Sequence, residues 1–180
     1  MIQVYTGNGK GKTTAAIGLG IRAVGAGKNV LMIQFLKTND SSELNVLRKL
    51  DNFEVRTFGR KGFFLPKKKL DENPSLREHF KEFSNVDYEL VREGFNLAKE
   101  SVNEYEIIIL DEFNLVLNYD MIPLEEVLNF LKNADKNTEI IITGRYAPKE
   151  IIEVADLVTN FEEIKHYYTQ GKGMRKGIEF

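Results

Sequence analysis

The first fourteen residues, MIQVYTGNGKGKTT, restrict the possible folds more than any other stretch of this chain. A short strand pattern over residues 2–5 leads into a turn with three glycines, and Lys12, Thr13 and Thr14 then open a helix. Strand, glycine-rich turn and helix in this order form a phosphate-binding loop, or P-loop. Glycines let consecutive backbone N–H groups point inward, and the helix start adds the positive end of its dipole. The segment therefore predicts a site for a polyphosphate.

Two side chains of this loop have predicted tasks. We expect Lys12 to lie against phosphate oxygens as a point charge and the Thr13 hydroxyl to ligate Mg²⁺. The usual motif has a glycine where this chain has Thr6, so a solvated glycine- and lysine-rich turn is the alternative, but the flanking strand and helix favour the P-loop. The residues predicted to bind the nucleotide are Thr6, Gly7, Asn8, Gly9, Lys10, Gly11, Lys12, Thr13 and Thr14.

A second landmark, EIIILDE at residues 106–112, joins an apolar run to two carboxylates. This Walker B pattern predicts a buried strand that delivers Asp111 and Glu112 to the edge of the sheet where the P-loop holds its phosphates. Any buried strand can end in acids, so the motif gains its meaning from the P-loop. Hard oxygen ligands suit Mg²⁺, and the predicted metal ligands are Thr13, Asp111 and Glu112. The residues assigned to catalysis are Lys12, Thr13 and Glu112.

The remaining chain alternates strand and helix patterns. The nearly all-apolar runs at 29–36 and 138–143 predict strands covered on both faces in a parallel sheet. The first of them ends in QFLK (34–37), and a substrate is expected beyond that edge. Further strands are predicted at 53–58 and 157–161, and helices at 12–26, 41–51, 74–102 with interruptions, from 123, and at 148–155. We expect one domain over 1–180 with a three-layer α/β P-loop NTPase fold of the RecA-like kind and a mostly parallel central sheet.

Three parts of the chain each allow two interpretations. Residues 59–73, with the adjacent Phe63 and Phe64, read either as a flexible binding lip or as a solvated loop whose phenylalanines pack into the core. Arg145, after the strand at 138–143, either reaches a phosphate or pairs with an acid. The tail from 164 to 180, which includes Tyr168, either closes over a ligand or is solvated.

Composition excludes several function classes. The 180 residues carry a net charge of -2, no cysteine and only two histidines. There is thus no overall electrostatic case for nucleic acid or an anionic membrane, and no basis for thiolate chemistry or a histidine metal site. No apolar run approaches about 18 residues and no leader precedes the first strand, so we expect a cytoplasmic protein with no membrane partner.

With both landmarks placed, the chain resembles the P-loop type of ATP:cob(I)alamin (corrinoid) adenosyltransferase. The unusual run TGNGKGKTTAA, with Thr6 for the first glycine, is itself part of the resemblance. The agreeing pieces are TGNGKGKTTAA (6–16), RAVGAGKNV (22–30), QFLK (34–37), LDE (110–112), PLEEV (123–127), ITGR (142–145), ADLV (155–158), KH (165–166) and KGIEF (176–180).

The resemblance implies a reaction that P-loop proteins rarely perform. A corrinoid reduced to Co(I) attacks the 5′ carbon of ATP, which forms a cobalt–carbon bond and releases tripolyphosphate. ATP would lie reversed in the loop, with its γ-phosphate where other P-loop proteins hold the α end. Because Co(I) is already a powerful nucleophile, no catalytic base is needed. The protein instead aligns the reacting atoms, neutralises the leaving polyphosphate through Lys12 and Mg²⁺ (or Mn²⁺), and excludes water.

The resemblance also implies that aromatic residues after the third strand face the corrinoid and displace its lower ligand. Phe63 falls on the first of these positions, while Leu65 stands where related chains carry tryptophan and Phe64 is the candidate substitute. A flavoprotein reductase and a homodimer are implied as partners. Related enzymes often carry an N-terminal helix before the first strand, whereas this sequence begins at the strand, so corrinoid affinity or dimerisation is expected to differ.

Two other functions remain open at this point. A nucleoside kinase of the thymidine-kinase type also joins GKTT to a strand ending in aspartate, although such chains usually carry a cysteine zinc ribbon. A non-catalytic module is the other, in which ATP orders residues 59–73 for a partner protein.

Overall fold

A parallel sheet of six strands forms the centre of the computed structural model, which describes residues 1–167, 171 and 173–178. In chain order the strands are β1 (Ile2–Thr6), β2 (Val30–Phe35), β3 (Phe53–Phe58), β4 (Phe64–Leu65), β5 (Lys81–Glu82), β6 (Ile107–Asp111), β7 (Glu139–Thr143) and β8 (Leu157–Asn160). The main sheet has the order β3-β2-β6-β7-β1-β8, and β4 and β5 form a separate parallel pair. All neighbours in the main sheet are parallel, so their carboxyl ends meet at one edge.

Helices cover both faces of this sheet. In chain order they are α1 (Lys12–Gly25), α2 (Leu44–Leu47), α3 (Lys67–Glu72), α4 (Asn85–Ser101), α5 (Phe113–Asn118), α6 (Leu124–Asn133) and α7 (Lys149–Val154), with a 3₁₀ helix at Pro74–Glu78. Strand β2 is buried throughout, and its residues alternate between two cores. One core includes α1 and α2, and the other includes α4 to α7. This three-layer α/β arrangement confirms the predicted fold class.

Helix α4 and the residue after it present one apolar stripe to the sheet. Val91, Phe95, Ala98 and Val102 are all buried against the sheet. Burial on both faces explains why β2 and β6 read as continuous apolar runs, because parallel strands flanked by helices have no solvent face. None of the helices in the described part of the chain has the length and apolar character needed to span a bilayer.

Residues 59–102 differ from the sequence interpretation. The segment predicted to be irregular contains β4 and α3, and the helical stretch predicted from Pro74 to about Val102 with interruptions is divided into the short 3₁₀ helix, β5 and α4. Helix α4 begins later, because the Asp87 carboxylate accepts the Ser84 N–H at 2.8 Å and closes a capping box there. Helix α5 was not expected, since it follows β6 directly and is too short to show a period. Tyr168 and the last two residues of KGIEF lie outside the described residues.

Candidate active site

The P-loop predicted from the first residues is formed at the end of β1. Gly7 and Gly11 have φ values of 98° and 118°, which favour glycine, and Gly11 caps the start of α1. Lys12 is 8% exposed, and its ammonium donates to the carbonyl of Gly9 at 2.6 Å. Burial lowers the pKa of Lys12, and the neighbouring cations add to this, while Glu112 opposes it. The buried lysine thus lies across the loop, where a phosphate would meet it.

The chain after β8 packs behind this loop, and this packing is a second reason why two of its positions are glycine. The N–H of Gly9 donates to the Phe161 carbonyl at 2.7 Å, and the Phe161 N–H donates to the Thr6 carbonyl at 2.8 Å. A Cβ on Gly7 would lie 2.4 Å from the Phe161 oxygen, and one on Gly9 would lie 2.7 Å from the Glu162 oxygen. Close backbone packing therefore requires glycine at both positions, independently of any ligand.

Thr6 replaces the usual glycine for a visible reason. Its hydroxyl is buried and accepts the N–H of Ala147 at 3.3 Å, which ties the P-loop to the loop after β7. The other predicted loop residues are more open: Asn8, Lys10 and Thr14 are exposed. The Lys10 ammonium donates to the Ile178 carbonyl at 2.9 Å, so the tail reaches the P-loop.

Asp111 is the buried centre of the site. It is fully buried at the end of β6, and one oxygen accepts the hydroxyls of Thr13 at 2.8 Å and Thr143 at 2.7 Å. Its other oxygen accepts the Lys37 ammonium at 2.8 Å and the Gln34 amide at 3.1 Å. Burial alone would raise the pKa of Asp111, but the charge of Lys37 and these hydrogen bonds outweigh it and hold the pKa below its ordinary value. The two sequence landmarks thus meet through Thr13 and Asp111.

Lys37 is the charged member of the Asp111 cluster that the sequence did not assign to the site, as it did not assign Gln34 and Thr143. Besides Asp111, its ammonium lies 3.3 Å from the Thr13 hydroxyl and 3.8 Å from a Glu112 oxygen. Burial would lower the pKa of Lys37, but the two carboxylates outweigh it and raise the pKa. Leu36 has a φ of 57°, a backbone turn that directs Lys37 to the sheet edge. The available signal was its place directly after a buried parallel strand.

Glu112 lies beside this cluster in a left-handed conformation with a φ of 62°. Its N–H donates to the Thr143 hydroxyl at 3.0 Å, and its side chain is 23% exposed. Burial raises the pKa of Glu112; the charge of Lys37 opposes that effect, and Asp111 adds to it. The Glu112 carboxylate therefore lies in the positive electrostatic field of Lys37, Lys12 and Arg145, at the open side of the site.

Arg145 lies against the P-loop, and its contact with a phosphate stays a prediction. Its guanidinium donates to the Asn8 carbonyl at 3.2 Å, and the residue is exposed. Arg145 thus adds a third cation near Lys12 and Lys37.

The oxygen donors fit a magnesium ion. Mg²⁺ usually takes one or two carboxylates, keeps several waters and binds substrate phosphates, so a closed protein cage is not expected. Thr13, Asp111 and Glu112 supply one hydroxyl and two carboxylates at the sheet edge. In addition, Gln34 is fully buried beside Asp111, and its side-chain oxygen has no hydrogen-bond partner among the described residues. That oxygen is a buried acceptor in the side chain next to Asp111.

The two phenylalanines of the loop after β3 have different environments. Phe63 is 57% exposed and meets Phe80 edge-on, with ring centroids 6.1 Å apart. Phe64 is half-buried and lies nearly parallel to Phe83, at 6.3 Å and 16°. Phe63 is therefore open to solvent and Phe64 packs against a neighbouring ring, and a binding role for this segment stays a prediction.

Helix α3 ties this segment to the active site. The Lys69 ammonium lies 4.9 Å from the ring centroid of Tyr119 and 5.6 Å from that of Tyr146. Tyr146 is the neighbour of Arg145 and has a φ of 62°. These cation–π contacts place the loop after β3 on the side of the molecule where the P-loop opens.

Comparison with known proteins gives a family match over the whole chain. Residues 1–180 match the family model described as ATP:corrinoid adenosyltransferase BtuR/CobO/CobP. The corrinoid adenosyltransferase of Escherichia coli (strain K12) is 35% identical over 184 residues, which cover 100% of this chain and 85% of that protein. The corrinoid adenosyltransferase CobA of Salmonella typhimurium is 32% identical over 182 residues, with coverages of 100% and 85%.

Among solved structures, the flagellar accessory protein FlaH from Methanocaldococcus jannaschii is similar, with a TM-score of 0.49 and 13% identity. The match covers 88% of this chain and 69% of that one. A likeness at this level adds nothing to what the sheet order already shows.

Proposed function

The chain belongs to the ATP:corrinoid adenosyltransferase family BtuR/CobO/CobP, and we propose how its own residues serve that family's reaction. The protein is an ATP-dependent transferase that moves an adenosyl group to a corrinoid. In the proposed reaction, the electron pair of Co(I) forms a bond to the 5′ carbon while the bond from that carbon to the triphosphate oxygen breaks. The leaving tripolyphosphate takes that bonding pair, and cobalt becomes Co(III).

The convergence of Lys12, Thr13, Lys37 and Asp111 at one sheet edge carries the proposal. We assign the triphosphate to the backbone N–H groups at the start of α1, which have no acceptor within the helix. Lys12, Lys37 and Arg145 supply positive charge where the leaving group develops its negative charge. The site thus stabilises departure of tripolyphosphate, which is the part of the reaction that Co(I) itself does not provide.

The metal ligands proposed are Thr13, Asp111 and Glu112. A bound Mg²⁺ would neutralise polyphosphate charge there. Glu112 has a second task in this proposal, because its carboxylate lies among the cations and limits their mutual repulsion. None of these groups has to remove a proton from a substrate.

The corrinoid is assigned to the side of Phe63. An exposed phenylalanine on a tied loop offers an apolar surface that a flat tetrapyrrole can cover, and covering it removes water from the reacting atoms. Phe64, half-buried, supports this surface in place of the expected tryptophan. The proposal includes one domain over residues 1–180, a flavoprotein reductase as electron donor, a homodimer, and a cytoplasmic location where ATP is available.

Product analysis tests the proposal. The protein is mixed anaerobically with ATP, Mg²⁺ and cobalamin reduced chemically to Co(I), followed by the visible spectrum and by phosphorus NMR. We expect adenosylcobalamin and tripolyphosphate in equal amounts, with loss of both in Lys12→Ala but not in Lys28→Ala, a change at an exposed lysine after α1. In a parallel reaction with a nucleoside added, formation of ADP and the phosphorylated nucleoside would show a kinase instead. Absence of turnover with nucleotide-dependent partner binding would show a binding module.

A further inference from the structure

An ion pair between the partly exposed Arg60 and the buried Asp87 connects the loop after β3 to the first turn of α4. Asp87 is 4% exposed, and its carboxylate accepts the Arg60 Nε–H at 2.8 Å. Its second oxygen accepts an Arg60 Nη2–H and the Ser84 N–H, the latter at 2.8 Å. Arg60 also donates to the Ser84 hydroxyl at 3.0 Å. Two parallel hydrogen bonds to a carboxylate fix the plane of a guanidinium, which a single contact does not.

The face of this guanidinium is occupied by an aromatic ring. The central carbon of Arg60 lies 4.5 Å from the ring centroid of Phe64, and the Phe64 ring lies nearly parallel to that of Phe83. Arginine can hydrogen-bond through its edge and stack through its face at the same time. The orientation of Phe64 is therefore linked, through Arg60, to a carboxylate anchored in α4.

The exposed Phe63 depends on the same support. Gly62, the residue before it, has a φ of 127°, a conformation that favours glycine. On the other side, the Phe63 carbonyl accepts the Lys81 N–H at 2.9 Å, and the Leu65 carbonyl accepts the Phe83 N–H at 3.1 Å. These bonds belong to the short β4–β5 pair, which leads directly into the capped start of α4. Phe63 thus extends from a short platform whose side-chain anchor is the Arg60–Asp87 pair.

We propose that Arg60 and Asp87 are positioning residues that hold Phe63 and Phe64 in the orientation required to displace the lower ligand of the corrinoid. This inference rests on the proposed function. A helix cap alone does not need the arginine, because the Ser84 N–H already satisfies the capping box. A partly exposed ion pair adds little net stability, whereas its two parallel hydrogen bonds fix the orientation of the guanidinium. The pair therefore serves the loop more than the fold.

The test compares two arginine-to-lysine changes on α4 pairs. Arg60→Lys keeps the charge but loses the bidentate fork and the stacking plane. Arg92→Lys is the matched control, because Arg92 also binds a carboxylate twice, that of Glu126 at 2.6 and 2.8 Å, and sits on the same helix. Each variant is assayed with chemically prepared Co(I), and again starting from Co(II) with a reductant. The EPR spectrum of Co(II) reports directly how much of the cobalt has lost its lower ligand.

We expect Arg60→Lys to lower the Co(II)-dependent rate by about three- to fivefold relative to the Co(I) rate, the size of one exposed cation–π contact. The EPR signal of cobalt without a lower ligand should fall in parallel, while the KM for ATP and the behaviour of Arg92→Lys stay unchanged. Asp87→Asn, which retains a capping oxygen, should likewise lose more of the Co(II)-dependent rate than of the Co(I)-dependent rate. Equal fractional losses of rate in the two assays, or an unchanged EPR signal, would overturn the inference. Failure of the wild-type protein with Co(I) would instead reject the proposed function.

Discussion

Replacing Lys37 by methionine removes a cation that contacts the buried carboxylate of Asp111 directly, and no other cation among the described residues does so. Methionine retains much of the apolar stem but leaves Asp111 with only neutral donors, from Thr13, Thr143 and Gln34. We expect a loss of stability, measured on metal-free protein in EDTA, where no metal ion neutralises the carboxylate. It therefore isolates a contact that the sequence did not reveal.

The magnitude follows from burial. Removing one partner of a fully buried ion pair costs about 3–5 kcal/mol. Here Asp111 is fully buried, Lys37 is 27% exposed and three neutral hydrogen bonds remain, so we expect a loss of about 2 kcal/mol in the free energy of unfolding at pH 7. In the control Lys149→Met, the pair with Glu153 is exposed on both sides, and the change should stay within about 0.5 kcal/mol.

The pH dependence gives a second, independent check. In the wild-type protein the pKa of Asp111 is lowered, so its stabilising contribution is present at neutral pH and lost as the pH falls through that pKa. Without Lys37, burial dominates and raises the pKa of Asp111, so the variant recovers stability by taking up a proton. The difference in unfolding free energy between variant and wild type should therefore become smaller as the pH falls towards about 4, near the pKa of an unfolded aspartate. Urea unfolding at pH 7 and at pH 4.5 (about half a unit above that value) measures it. A difference equal to that of Lys149→Met, or one that is constant with pH, would refute the reasoning.

Three further changes test the loop and the lip. Lys12→Ala should reduce the Co(I)-dependent rate by about 10²–10³-fold, the usual loss for one preorganised charge-stabilising group, and near-normal turnover would separate the loop from the reaction. Phe63→Ala should slow the reaction more from Co(II) than from Co(I); equal losses in the two assays would remove its role in ligand displacement. Gly7→Ala should weaken ATP binding in calorimetry and lower the melting temperature, because its Cβ would lie 2.4 Å from the Phe161 oxygen. Its control, Gly18→Ala on the exposed face of α1, meets no atom within 4 Å and should add about 0.5–1 kcal/mol of stability.

The parts of the site that the sequence predicted are those set by local spacing. A strand, three glycines and GKTT place Lys12 and Thr13 without reference to the rest of the chain, and an apolar run ending in acids places Asp111. Lys37 could not be assigned in this way, because its contact depends on which strand lies beside β6. In the structure that neighbour is β2, with Gln34 in register with Asp111. Strand order is a property of the whole sheet, so it is not readable from one segment.

In the segment from 59 to 102, one element depends on non-local pairing, and one helix start had a local signal that the sequence prediction did not use. Strand β4 exists only because it pairs with β5, sixteen residues or more further on, and such pairings leave no local pattern. The start of α4 was readable, since Ser84 and Asp87 have the spacing of a capping box. The glycines of the P-loop had an additional cause outside the motif, namely the carbonyls of the chain after β8.

A structure with Mg²⁺ and ATP bound would test the central claim most directly. We expect the triphosphate to bind the backbone amides at the start of α1, beside Lys12 and Lys37. The 5′ carbon of the ribose should face the open space next to Phe63. A 5′ carbon turned into the protein, or a triphosphate bound away from this loop, would contradict it.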